Sequence, residues 1–161
     1  MQDTSIVISI SQQSLRLRTR GEDRLVFPVS TARRGPGCRS GSSCTPLGLH
    51  RIRLKIGAGC AAGTVFVGRR STHEVLTPQL VERFPGRDWM LTRLLWLEGL
   101  ERGLNRGGDV DTLRRFIYIH GTHDEAHIGQ PTSHGCVLMR NDHIVELFDA
   151  VDNGMLVELQ P

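Results

Sequence analysis

His120 and Cys136, sixteen positions apart, are residue types that together can carry out acyl transfer. A thiol becomes a strong nucleophile only when ionised, and a neighbouring imidazole or cation supplies that ionisation at neutral pH. His120 ends the apolar run Phe116-Ile117-Tyr118-Ile119 and is followed by Gly121, while Cys136 closes the segment Ser133-His134-Gly135-Cys136. Glycine beside a nucleophile lets the backbone turn sharply and aim N–H groups at a substrate carbonyl, as an oxyanion hole requires. These residues have the parts of a thiol acyltransferase. By type alone they would equally suit a buried thiol beside loop histidines.

A second chemistry competes for the same segment. His120, His123 and His127 read H-x-x-H-x-x-x-H, and on a helix His123 and His127 would share a face toward zinc. Glu125 sits two residues after His123, which matches neither H-E-x-x-H nor H-x-x-E-H. Gly121, Gly129 and Pro131 also oppose a helix there. The expectation is therefore no metal and no cofactor, with His123 and His127 in a loop beside the substrate groove.

Composition narrows the classes of function. With 161 residues, 39% hydrophobic and 23% charged, the chain reads as one globular domain spanning 1–161. The net charge is only +3, although Arg16, Arg18, Arg20, Arg24, Arg33, Arg34 and Arg39 crowd the first quarter. Aromatics make up 5% and only Phe27 falls in that quarter, so the interleaved basic and aromatic pattern of a nucleic-acid surface is missing. An anionic cell-wall polymer suits the charge as well. No run approaches the ~18 apolar residues of a membrane span. Met1-Gln2-Asp3-Thr4 enters a strand pattern without a basic or apolar leader, which fits either a cytoplasmic protein or one whose export signal is not part of this sequence. Cys38, Cys44, Cys60 and Cys136 form neither a dense disulfide framework nor C-x-x-C pairs. Cys38 and Cys44, six apart in a Gly/Ser loop, could bridge in an oxidising compartment; Cys60 reads as a small packed hydrophobe.

The elements that must position the pair are short. Ile6, Ile8 and Ile10 alternate, as do Leu15 with Leu17 and Leu25, Phe27 with Val29, which makes three strands joined by turns. Residues 30–48 form a long Gly/Ser/Arg loop ending in Thr45-Pro46-Leu47-Gly48. Strand signals return at 49–56, with His50, Ile52, Leu54 and Ile56 on one face, and at 64–67. Residues 71–88 look irregular, and 89–100 satisfies both helix and buried-strand periods. Residues 116–120 read as a buried strand. Asn141-Asp142 then caps a helix that Asn153-Gly154 stops before a last strand over 155–159.

Taken together, Ile119-His120-Gly121-Thr122 and the run from Ile128 through Ser133-His134-Gly135-Cys136 to Asn141 resemble the L,D-transpeptidase catalytic domain, or YkuD domain. Gln12-Gln13-Ser14-Leu15, Val29-Ser30-Thr31, Thr45-Pro46-Leu47-Gly48 and the Leu147–Val157 ending are similar to it too, so the likeness spans nearly the whole chain. The resemblance implies a mainly β, β-sandwich-like L,D-transpeptidase catalytic fold with one or two short helices. It implies an enzyme of peptidoglycan stem peptides in the cell envelope or periplasm, open to carbapenem-type inhibitors. Cys136 would attack the carbonyl of the third stem residue, D-alanine would leave, and an amine would take the acyl group. Attack by water instead would make an L,D-carboxypeptidase; a non-catalytic wall-binding module would not need the Cys136 and His120 that this chain has. By similarity His120 is general base and acid, the Gly121 carbonyl orients its ring, and Gly135 and Cys136 supply oxyanion N–H groups. His134 shapes the loop, and Ser133 and Thr122 contact substrate. Where the family usually carries Arg two residues after the cysteine, this chain has Leu138. Arg140 would share that face if the strand continued, and could then read a substrate carboxylate.

Overall fold

The computed structural model describes residues 3–161. The leaderless reading of Met1 and Gln2 lies outside the described residues. Among the described residues there are ten strands: β1 (Thr4–Ser9), β2 (Ser14–Thr19), β3 (Glu22–Pro28), β4 (Gly48–Ile56), β5 (Thr64–Val67), β6 (Arg70–Val75), β7 (Met90–Gly99), β8 (Tyr118–Gly121), β9 (Val137–Met139) and β10 (Leu156–Gln160). Helices α1 (Pro78–Arg83) and α2 (Asn141–Ala150) complete the regular structure, with three short 3₁₀ turns. All ten strands belong to one mixed sheet ordered β3-β2-β1-β10-β4-β7-β5-β6, from which β8 branches off β7 and carries β9. β1 with β10 and β8 with β9 run parallel.

The alternation in β1 and β2 buries Ile6, Ile8, Leu15 and Leu17 in one cluster with Leu95, Leu97, Ile119, Val137, Ile144 and Leu147. The inner face of β1–β2 thus meets the layer built from β7–β9 and α2, which gives the expected sandwich-like arrangement. The chain after β3 closes the gap: Ser30 and Leu138 exchange N–H···O bonds of 2.9 and 2.8 Å. That bridge fastens the long 30–48 loop beside β9, which Cys136 immediately precedes.

The ambiguous 89–100 segment is a strand. Leu94 and Leu95, successive residues on opposite faces, are both 0% exposed, so β7 is covered on both sides and loses the alternation of a half-exposed strand. Residues 71–88 are more regular than the sequence suggests. β6 occupies their start, and Thr77 caps α1 by accepting the Leu80 N–H, with Pro78 in the first helical position. In β4 the shared face breaks down: a bulge between Ile52 and Leu54 leaves His50 and Ile52 buried but Leu54 42% exposed. Asn141 is the first residue of α2, not its cap. The cap position is Arg140, without a side-chain bond, while Glu125 accepts the Asn141 N–H from outside at 2.8 Å. α2 ends at Ala150 as Val151 turns extended, and Gly154 (φ 89°) belongs to the turn into β10. Cys38, Cys44, Cys60 and Cys136 are all free thiols in this structure.

Candidate active site

His120 comes from the end of β8, and its ring is held by its own neighbour: Nδ1 lies 2.7 Å from the Gly121 carbonyl. A carbonyl can only accept, so Nδ1 carries the proton and Nε2 keeps a free lone pair. A bulge between Leu91 and Leu94 in β7 positions that carbonyl, with Thr92 at φ 75°. A Cβ on Gly121 would collide with Asn141 Oδ1 and stand 2.8 Å from the Leu91 carbonyl. Only glycine fits there. Asn141 then ties the corner together, accepting from the Thr92 hydroxyl and donating to the Thr122 carbonyl at 2.8 Å. Burial holds the His120 pKa below its ordinary 6.5, while the Gly121 carbonyl and Asp88 oppose that shift.

Cys136 immediately precedes β9 and lies alongside β8. The Tyr118 N–H donates to its Sγ at 3.3 Å, and Tyr118 stands two residues before His120 on the same strand. The Ser133–Cys136 turn carries its own brace. Ser133 Oγ donates to the Cys136 carbonyl at 2.6 Å and accepts the Gly135 N–H at 3.2 Å. Gly135 has φ 135°, and a Cβ there would press Ile117 Cδ1 at 3.2 Å and the Cys44 carbonyl at 3.3 Å. Burial pushes the Cys136 thiol from its ordinary 9.0 up to about 11; the Tyr118 N–H lowers it, Asp88 raises it and Arg115 lowers it. Burial thus disfavours charge on both groups.

His120 and Cys136 line one open cleft of about 510 Å³. Thr122 and His134 line it as well. His134 Nδ1 lies 3.0 Å from Asp88 Oδ2, a contact that joins the Ser133–Cys136 turn to the loop before β7. Ser133 reaches the cleft, but its hydroxyl is engaged in the turn. The Gly135 N–H, expected at the oxyanion, is bonded to that same hydroxyl. Arg140 is a correction. β9 ends at Met139, so the strand alternation stops; Arg140 sits outside the cleft lining, 3.8 Å from Asp142 Oδ1. Leu138 lines the cleft instead, together with Arg33 and Arg115.

Three contributors were not singled out from the sequence. Thr45, 0% exposed, accepts the Ala32 N–H at 2.9 Å and donates to the Gly135 carbonyl at 2.9 Å, which welds the 30–48 loop to the Ser133–Cys136 turn. The Thr-Pro-Leu-Gly motif marked it without indicating its partner. Arg115 donates to the Gly37 and Cys44 carbonyls at 3.3 and 2.6 Å and lines the cleft with Cys136. Asp88 had no local signal at all. The histidine cluster does not gather: His127 pairs with Asp124 at 2.7 Å, and among the described residues no three His, Cys, Asp or Glu side chains are placed to hold a metal.

Comparison with known proteins bears on this geometry. Residues 3–159 match the profile of the L,D-transpeptidase catalytic domain, YkuD. The chain belongs to that family. Its fold matches an L,D-transpeptidase from Mycobacterium smegmatis at TM-score 0.58 and 15% identity, covering 99% of this chain and 59% of that one. It also matches L,D-transpeptidase 3 from Mycobacterium tuberculosis, solved with a faropenem-derived adduct, at TM-score 0.61 and 17% identity, covering 99% and 60%. A Bacillus licheniformis protein, provisionally named L,D-transpeptidase YkuD, is 42% identical over 43 residues, 27% of this chain and 26% of that protein. The chain thus spans about three fifths of the solved relatives and about a quarter of the curated one.

Proposed function

We propose that this YkuD-family chain is a cysteine L,D-transpeptidase acting on peptidoglycan stem peptides at the cell envelope, through a thioester on Cys136. The observation that carries the reading is the shared cleft of His120 and Cys136, with Nδ1 of His120 bonded to the Gly121 carbonyl. That bond leaves Nε2 as the nitrogen able to take the thiol proton. Cys136 Sγ then attacks the carbonyl of the third stem residue, and the Cys136 N–H is the backbone donor nearest the developing oxyanion. His120 returns the proton to the departing amine of D-alanine, and the thioester remains. An acceptor amine, deprotonated by His120, attacks the thioester and restores the thiol.

The electrostatics favour general-base catalysis over a preformed ion pair. Burial opposes charge on both groups, so thiolate and imidazolium are each disfavoured at rest. The Mycobacterium tuberculosis relative with its faropenem-derived adduct supports acylation of the same kind of site by a β-lactam.

Mass spectrometry of products from purified tetrapeptide donors, with and without an amine acceptor, tests the reading. Cross-linked product that forms only with acceptor is expected; release of tripeptide alone would make the enzyme a carboxypeptidase. Cys136→Ala should abolish turnover and the β-lactam adduct. His120→Ala should slow acylation roughly 10²–10⁴-fold with little change in KM. Full turnover in Cys136→Ala would overturn the assignment.

A further inference from the structure

The arginine-rich first quarter of the sequence finds no role in the chemistry above, and the structure sorts its members by what they touch. Arg16 and Arg18 pair with Asp23, Arg20 with Asp3, Arg24 with Glu22 and Arg39 with Asp109. Arg33 and Arg34 have no acidic partner among the described residues, and of these two only Arg33 lines the cleft.

The charges around the cleft are unevenly matched. Its acidic residues Asp88 and Asp124 each face an imidazole, His134 and His127. Arg115 has only carbonyl partners and is tethered by them. The Arg33 guanidinium makes no hydrogen bond or ion pair among the described residues, yet its backbone is fixed: the Arg33 N–H donates to the Ser133 carbonyl at 2.9 Å, and Ala32 bridges to Ser133. An arginine rooted beside Ser133, lining the cleft and with a side chain that has no partner among the described residues, is a ready partner for a planar anion. Leu138, the apolar residue in the cleft on β9, offers no such partner.

We propose that Arg33 is the specificity-determining residue that binds the C-terminal carboxylate of the donor peptide, an inference that rests on the transpeptidase reading above. Removing one terminal residue requires a mark that separates the terminal peptide bond from internal ones. The free carboxylate is that mark, and Arg33 is the unengaged cation rooted beside the nucleophile. Arg140, paired on the surface outside the cleft, does not serve.

The test compares kcat/KM for three donors built on a third residue chosen to carry a side-chain carboxylate: a tetrapeptide with free termini, its C-terminal amide, and a version amidated only on that side-chain carboxylate. The parent enzyme should favour the free acid over the C-terminal amide, and Arg33→Gln should bring that ratio close to one by slowing the free acid about 10- to 100-fold. Arg33→Lys should keep part of the preference. The Arg33 side chain is exposed and its fixed contacts are backbone ones, so an unchanged melting temperature should accompany each variant. A ratio that Arg33→Gln leaves unmoved overturns the proposal, as does an effect that follows side-chain amidation instead. Failure of the parent to turn over any donor, while an iodoacetamide adduct still forms on Cys136, would instead sink the transpeptidase reading itself.

Discussion

A partly buried thiol beside a buried imidazole behaves differently from a solvated cysteine–histidine pair. Desolvation raises one pKa and lowers the other, so neutral pH finds neither charged. The Cys136 thiol, pushed to about 11, exposes its reactivity only as base is added. Alkylation by iodoacetamide, followed by intact-mass spectrometry, should therefore accelerate with pH through 8, 9 and 10. A plateau already reached at pH 7 would indicate a preformed thiolate. Asp88 is among the groups that raise this pKa, and it also holds His134. Asp88→Asn removes the anion, stabilises the thiolate, and should shift the alkylation profile to lower pH, with a few-fold gain at pH 8. Unshifted alkylation would mean that Asp88 acts on the turn and not on the thiol.

At the level of elements, the nucleophile turn is held from outside by a loop distant in sequence. Thr45 reaches across ninety positions to the Gly135 carbonyl while accepting the Ala32 N–H. Thr45→Val keeps the side-chain shape but leaves a buried carbonyl and a buried N–H without partners. The cost should be about 1–3 kcal/mol, read as a melting temperature lower by roughly 2–10 °C. Turnover should fall as well, because Gly135 at φ 135° has lost the anchor of its carbonyl. Thermal unfolding and steady-state rates on the same preparation separate the two effects. Wild-type stability in Thr45→Val would show that water replaces the hydroxyl at no cost.

The whole molecule carries a second buried histidine with no place in the chemistry. His50 on β4 is 0% exposed; its Nδ1–H donates to the Gly48 carbonyl at 3.0 Å and its Nε2 accepts from the Thr112 hydroxyl at 2.9 Å. Burial lowers its pKa from 6.5 to about 4, with the Gly48 carbonyl and Glu101 opposing. The folded state then binds fewer protons than the unfolded chain between these values, so stability rises with pH across that window. Its contribution is full above about 6.5 and is lost as pH falls toward about 4, a change of roughly 3 kcal/mol. His120, also lowered, adds a slope of the same sign. Denaturant unfolding at pH 7 and 4.5 should show His50→Gln losing less stability on acidification than the parent. An identical loss in both would place the acid sensitivity elsewhere.

What the sequence determined by itself is whatever depends on near neighbours. The alternation of Ile6 with Ile8 and of Leu15 with Leu17 sets which face of β1 and β2 is buried, because side chains two apart share a face. The His120-Gly121 dipeptide contains both the ring and the carbonyl that orients it, so that part of the site was legible without a fold. Ser133-His134-Gly135-Cys136 likewise carries its own brace within four residues. Tertiary structure decided everything that turns on where an element stops or what crosses to it. Arg140 falls outside the cleft because β9 ends at Met139, and the helix cap that follows has no strand alternation to obey. Arg33, Arg115, Thr45 and Asp88 lie 21 to 103 residues away from Cys136 in the chain, a distance over which no periodicity can report. They meet there because a shared apolar core and the Ser30–Leu138 bridge bring β3, β8 and β9 together, and long-range burial carries no local signature.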